Sequence, residues 1–85
     1  MGKTEVSMAI DPFVTIKKAL AKAKKHLKTK AASLSYDEEA DVLYVKFNYS
    51  KIVDHEPLDE DGLVIASLDN KGRIAGLVIM AASTL

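Results

Sequence analysis

The sequence has no cysteine and no tryptophan, two prolines, four glycines and one arginine, Arg73. The lack of cysteine excludes disulfides and thiolate zinc sites. No run approaches the roughly 18 consecutive apolar residues that a membrane span needs. The longest, Ile74 to Ala82, is interrupted only by Gly76 and has the length of a strand. Met1 to Ile10 has neither the apolar segment nor the small-residue cleavage site of a secretory signal. Gly2 suits myristoylation, but Val6 stands where that signal needs Ser or Thr. The expectation is a cytoplasmic chain with no membrane partner.

Eighty-five residues make one domain near the lower edge of independent stability, because a short chain buries a small fraction of its surface. Such domains add disulfides, a metal or further copies of themselves. With disulfides excluded, self-association or an unusually efficient core remains.

Acids and bases balance at a formal net charge of zero, yet they are segregated. Residues 1–34 carry eight lysines against Glu5 and Asp11, an excess of six positive charges. Residues 35–85 carry ten acids against Lys46, Lys51, Lys71 and Arg73, an excess of six negative charges. Halves of opposite sign suit a charged partner, and equally suit each other.

Residues 1–10 show no period and are expected to be flexible. Asp11 then supplies a helix cap, and Pro12 fits the first helical position, where its missing N–H has no partner to lose. Phe13, Ile16, Leu20, Ala23 and Leu27 recur at spacing 3-4-3-4, which predicts a helix from about Pro12 to Lys30 with one apolar stripe. Residues 11–31 thus form a basic amphipathic helix, with Lys17, Lys18, Lys22, Lys25 and Lys28 away from the stripe. Residues 32–85 read as an antiparallel β-meander. Leu34 to Tyr36 look extended, Asp37 to Ala40 form a polar turn, and Val42 to Tyr49 alternate as a strand. Ile52 to Glu56 is a short strand that Pro57 ends or confines to a sheet edge. Gly62 serves a turn before the strand Leu63 to Leu68. Asp69-Asn70-Lys71-Gly72 predicts a type I turn closing on a glycine bulge. Arg73 to Ala82 returns as the last strand, where Gly76 marks a close approach of other atoms. The fold class expected is α+β: an N-terminal amphipathic helix packed on a four- to five-stranded antiparallel β-meander.

The last hairpin is apolar on both faces. Val64, Leu68, Val78 and Met80 are expected on one side, and Leu63, Ile65, Leu77 and Ile79 on the other. An antiparallel sheet with one wet face should alternate cleanly with polar residues. One helix covers one face, so the second must meet something else. A homodimer or homotetramer is therefore expected, with Leu20, Leu27, Leu63, Ile65, Leu77, Val78, Ile79 and Met80 as candidate interface residues.

Tyr36-Asp37-x-x-Ala40-Asp41-x-Leu43-Tyr44-Val45, followed by Asp69-x-x-Gly72-Arg73-Ile74-x-Gly76-x-x-Ile79, resembles the small prokaryotic family called domain of unknown function 2283. The resemblance spans roughly residues 34–83, the sheet but not the helix. It implies an α+β or mainly β fold and no established activity. Because members are often encoded beside small proteins resembling ribonuclease-type toxins, it also implies an antitoxin-like role. Two positions depart from the pattern. Ser67 stands where an acid is expected and Val78 where Glu is common, so carboxylate chemistry has no support at either.

No catalytic, cofactor or metal site emerges. The runs Asp37-Glu38-Glu39-Asp41 and Asp59-Glu60-Asp61 lack the spacing of a calcium loop, and acids in turns are mostly solvated or bond their own backbone. His26 and His55 read as surface residues rather than zinc ligands. The sequence has neither a G-x-S-x-G nucleophile motif nor a Gly-rich phosphate loop. The expected role is a non-enzymatic interaction module, with a small basic protein such as a toxin as one partner. The alternative is nucleic-acid binding through Lys17, Lys18, Lys22, Lys25 and Lys28, which would be salt-dependent and blind to sequence.

Overall fold

In the computed structural model, which describes residues 11–24 and 32–85, Asp11 opens helix α1 (Pro12–Lys22) as the sequence predicts. Its carboxylate accepts from the N–H groups of Phe13 at 3.0 Å and Val14 at 3.3 Å, satisfying donors that the first turn leaves unpaired. The helix is shorter than the expected reach to Lys30. Ala23 is its C-cap, and Lys24 takes a left-handed φ of 56° while its N–H bonds the Ala21 carbonyl at 3.1 Å. A left-handed residue cannot continue a right-handed helix. Lys25, Leu27 and Lys28, with residues 1–10, lie outside the described residues.

Five strands follow: β1 (Ser33–Asp37), β2 (Val42–Lys46), β3 (Asp54–Pro57), β4 (Val64–Leu68) and β5 (Ile74–Met80), then a short 3-10 helix, η1 (Ala82–Thr84). All pair antiparallel in one sheet, so the α+β class holds. The path is not the continuous meander expected. Strand order is β1-β2-β5-β4-β3. Residues 47–53 cross from β2 to the far edge, and β3, β4 and β5 then return to close against β2. This is Greek-key order read from the C-terminal side. Pro57 ends β3, which is an edge strand, as expected.

The turns follow the sequence closely. Gly72 adopts φ 76° and its N–H bonds the Asp69 carbonyl at 3.0 Å, while the Asp69 N–H bonds the Arg73 carbonyl at 3.0 Å. Gly62 adopts φ 70°.

Register decides the faces. Val64 lies opposite Ile79, Ala66 opposite Leu77, and Leu43 and Val45 opposite Ile79 and Leu77. These six share the inner face and are fully or almost fully buried together with Ala19 and Ala23 of α1. The expected grouping of Val64 and Leu68 with Val78 and Met80 is therefore corrected. Directly opposed residues share a face, and Val78 opposes Ile65. Leu77 and Ile79, expected at an oligomer interface, lie in the chain's own core. Leu20 packs half-buried against it.

The helix also sits differently from its stripe. Thr15, Ala19 and Ala23, at spacing 4-4, are the buried residues, while Phe13 remains 63% exposed. Small side chains let the helix approach the sheet closely, and Ile16 and Leu20 fill the flank.

Gly76 carries the tightest constraint. A Cβ at this position would run into the carbonyl oxygen of Val45 on the neighbouring strand. The register between β4 and β5 also shifts at Ser67/Leu68, leaving an irregularity beside it. Gly76→Ala should therefore force two central strands apart and lower unfolding stability by about 1–3 kcal/mol, as overpacking does. Gly62→Ala, with open space around it, should cost only the left-handed penalty of about 1 kcal/mol. Urea unfolding of the two variants checks the order.

Candidate interaction surface

The sheet's second face, away from α1, presents three rows of side chains running across the strands. The middle row aligns Tyr44, Val78, Ile65 and Pro57 on β2, β5, β4 and β3. One row toward the β1–β2 turn, Val42 lies opposite Met80, whose N–H bonds the Leu63 carbonyl at 2.7 Å. In the row toward the other end lie Lys46, Gly76, Ser67 and His55. Tyr44 is 44% and Met80 40% exposed, with Val78, Ile65 and Leu63 half-buried. The first two rows have no charged side chain on the four strands β2 to β3. Contiguous apolar surface of this kind marks an interaction site more often than solvent. Of the expected interface residues, the structure gathers Leu63, Ile65, Val78 and Met80 here.

The crossover 47–53 lies over the Gly76 end of this face. Tyr49, Ser50 and Ile52 there help enclose a groove of about 140 Å³ floored by Gly76 and Ser67. Tyr49 (75% exposed) and Val53 (55%) add apolar surface, and the Lys46 ammonium lies 5.9 Å from the centre of the Tyr49 ring. Sequence reading missed Tyr44, Tyr49 and Ile52. The alternation of Val42 and Tyr44 with Leu43 and Val45 was the available signal for the first; nothing local signals a strap folding back over a sheet.

The acids of the sequence motif serve turns. Asp41, at φ 55°, accepts from the Tyr36 hydroxyl at 2.5 Å, from the Ser83 N–H at 3.0 Å and from the Ser83 hydroxyl at 2.6 Å. Its backbone carbonyl accepts from the Ala82 N–H at 3.0 Å. One residue thus ties β1, the β1–β2 turn and η1. Hydrogen bonds from Ser83, then from Tyr36, hold the Asp41 carboxyl below the usual carboxylate range. The Tyr36 phenol, donating to that carboxylate, is pushed up to about 12. At the opposite end Asp69 accepts from the N–H groups of Arg73 at 3.0 Å and Lys71 at 2.9 Å and from the Arg73 guanidinium at 3.1 Å. These bonds, the Arg73 backbone first, lower its carboxyl too.

The topology sorts charge by end. The turns at the Met80 end hold Asp37, Glu38, Glu39, Asp41, Asp59, Glu60 and Asp61, whereas Lys46, Lys51, Lys71 and Arg73 lie toward the Gly76 end, where they outnumber Asp54 and Asp69. The helix lysines partly answer the acids. Lys22 bonds Asp61 at 2.8 Å and lies 3.8 Å from the buried Asp59 carboxylate, whose other oxygen accepts from the Val64 N–H. Asp61 chiefly raises the pKa of Lys22. Lys18 donates to the Leu85 carbonyl at 3.2 Å. Of the five lysines proposed for nucleic acid, Lys17, Lys18 and Lys22 are on the described helix, and two of these three turn to acceptors within the chain. Among the described residues no three His, Cys, Asp or Glu side chains are placed to hold a metal, and no helix is long and apolar enough to cross a membrane.

The profile of a family described as protein of unknown function (DUF2283) matches residues 34–83. This chain belongs to the DUF2283 family. No curated protein and no solved structure matches it. The DUF2283 match covers the sheet from Leu34 onward and most of η1, and omits α1. The DUF2283 motif residues Tyr36, Asp37 and Asp41 lock the first turn, with the Asp37 carboxylate accepting from the Ala40 N–H at 3.2 Å. Asp69, Gly72 and Arg73 lock the last. Ser67 and Val78, expected from the resemblance to stand where acids are common, both lie on the second face.

The two turn locks give stability a pH signature at both extremes. Lowered carboxyls contribute stability that is present above the ordinary carboxylate range and lost as pH falls through their folded values. A raised phenol contributes stability present below pH 10.0 and lost between there and about 12. Asp41→Asn should blunt the acid loss and Tyr36→Phe the alkaline loss, each against a lower plateau. Thermal unfolding across pH 2 to 12 checks this; an alkaline limb unchanged in Tyr36→Phe would show that the clasp does not titrate as described.

Proposed function

We propose that this chain is a non-enzymatic interaction module that assembles with copies of itself through the second face of its sheet. The observation that carries the reading is the charge-free apolar band of Tyr44, Val78, Ile65 and Met80, contiguous across strands by register. Each such side chain left wet forgoes roughly 1.5–3 kcal/mol of burial. A symmetric pair of identical faces removes that loss without a second gene product. The commitment of the motif carboxylates to turn locks supports a role without catalysis.

The antitoxin-like role fits the same scaffold as a second reading, favoured by the gathering of acidic turns at one end. A small basic protein would be steered there by opposite potential. With such a partner in hand, Glu38→Lys, Glu39→Lys and Glu60→Lys together should slow its association at low salt; an unchanged on-rate would count against steering. Nucleic-acid binding through the helix is the weaker alternative, since Lys18 and Lys22 are already engaged. Duplex DNA binding at about 50 mM salt, with a salt slope falling by about 0.9 for each lysine replaced by Gln, would favour it instead.

Self-assembly is checked by light scattering on a size-exclusion column at micromolar concentration. The expected mass is a multiple of 9.2 kDa. Val78→Glu, which places a carboxylate at the centre of the band, should convert the assembly to folded monomer. A folded wild-type monomer, or a Val78→Glu assembly as tight as wild type, would refute the reading.

A further inference from the structure

We infer that two copies pack second face to second face about a two-fold axis running across the strands through Val78, so that Met80 of each copy enters the Gly76 groove of the other. The inference rests on self-assembly through that face and adds its geometry. Three observations converge on it.

The first is shape. Met80 and Gly76 share the central strand, each two residues from Val78 and both on the second face. Met80 is a projecting knob, 40% exposed. Gly76, without a side chain, floors a groove of about 140 Å³ whose far wall is the crossover strap. An axis across the strands through Val78 exchanges these two positions, so knob meets hollow twice. An axis along the strand would set knob on knob and strap on strap.

The second is charge. The Met80 end carries the acidic turns, and Asp37 borders its row; the Gly76 end carries Lys46 on the face and Lys51 on the strap, with Asp69 there engaged by Arg73 and Asp54 in register with the inner-face Leu68. The same axis places the acidic end of one sheet over the basic end of the other, bringing Asp37 near Lys46 of the second copy. The lengthwise axis would oppose like charges, which is strongly unfavourable at an interface.

The third is the middle row. Tyr44, Val78 and Ile65 lie on the proposed axis, so each meets its own counterpart, and none is charged. A face whose two ends complement one another is matched by a second copy of itself; a foreign partner has no reason to carry that pattern.

The absence of cysteine makes a direct test available. Tyr44→Cys, Ile65→Cys and Met80→Cys are each made as the only thiol, checked for folding by circular dichroism and for mass by light scattering, and treated with a bis-maleimide short enough to join only facing thiols. The proposal expects Tyr44→Cys and Ile65→Cys to cross-link to themselves. It expects Met80→Cys to cross-link at least about tenfold more slowly, because the two residues 80 stand about 13 Å apart along the strands, four residues at roughly 3.3 Å each. Fast Met80→Cys cross-linking with slow Ile65→Cys would establish the lengthwise axis and overturn the proposal. A dimer in which none of the three cross-links would overturn it too, and would overturn the shared face with it. Folded monomers of all three variants and of wild type would overturn self-assembly itself.

Discussion

Strand β5 has no polar side chain between Ile74 and Met80, and it is bonded on both edges, to β2 and to β4. Both of its faces and both of its edges must therefore be dry or paired. The rest of the architecture answers that demand. β2 and β4 flank it, Gly76 lets the β2 backbone close in, and α1 lays Ala19 and Ala23 over the Leu77 and Ile79 side. Among the described residues, the Val78 and Met80 side receives only the crossover strap at one end. An 85-residue chain with a single described α-helix has covered one face of its most apolar strand and, among the described residues, half of the other.

The motif that identifies the family explains the scaffold rather than an activity. Tyr36, Asp41 and Ser83 converge at one end of the sheet, and Asp69 with Arg73 at the other. In each case a short carboxylate collects hydrogen bonds that would be unpaired in a tight turn. Residues with such geometric duties carry little information about partners. The second face has no such duty, and its middle row of Tyr44, Val78 and Ile65 is uncharged.

Local chemistry was legible in the sequence and long-range pairing was not. Asp11 and Pro12 announced the helix start, Asp69 to Gly72 the last turn, and Gly76 a close approach, because each depends on atoms within a few residues or on the loss of a side chain. Strand order was hidden, since residues 47–53 resemble any short turn; only the pairing of β5 with β2 reveals that they cross the sheet. The grouping of Val64 with Val78 failed because face identity follows from register, which the β4–β5 irregularity at Ser67/Leu68 sets. The helix stripe misled for a different reason. Periodicity finds the most apolar direction, whereas the contact with the sheet selected the small residues Thr15, Ala19 and Ala23 and turned Phe13 outward.

The crossover also orders events in time. As the chain leaves the ribosome, β1 and β2 can pair first and β3 and β4 next, but these hairpins share no strand pairing with each other. Each waits with an open edge, the β2 edge exposing the backbone of Val42 to Lys46. Such edges are templates for wrong pairing. Only when β5, the last strand, has emerged can it slot between them and bond both at once. Closure of the sheet is thus a single late step whose contacts reach across nearly half of the sequence, from Val42 to Met80, and long-range pairing of that kind is slow. A nascent chain of this design stays vulnerable until its final strand is available.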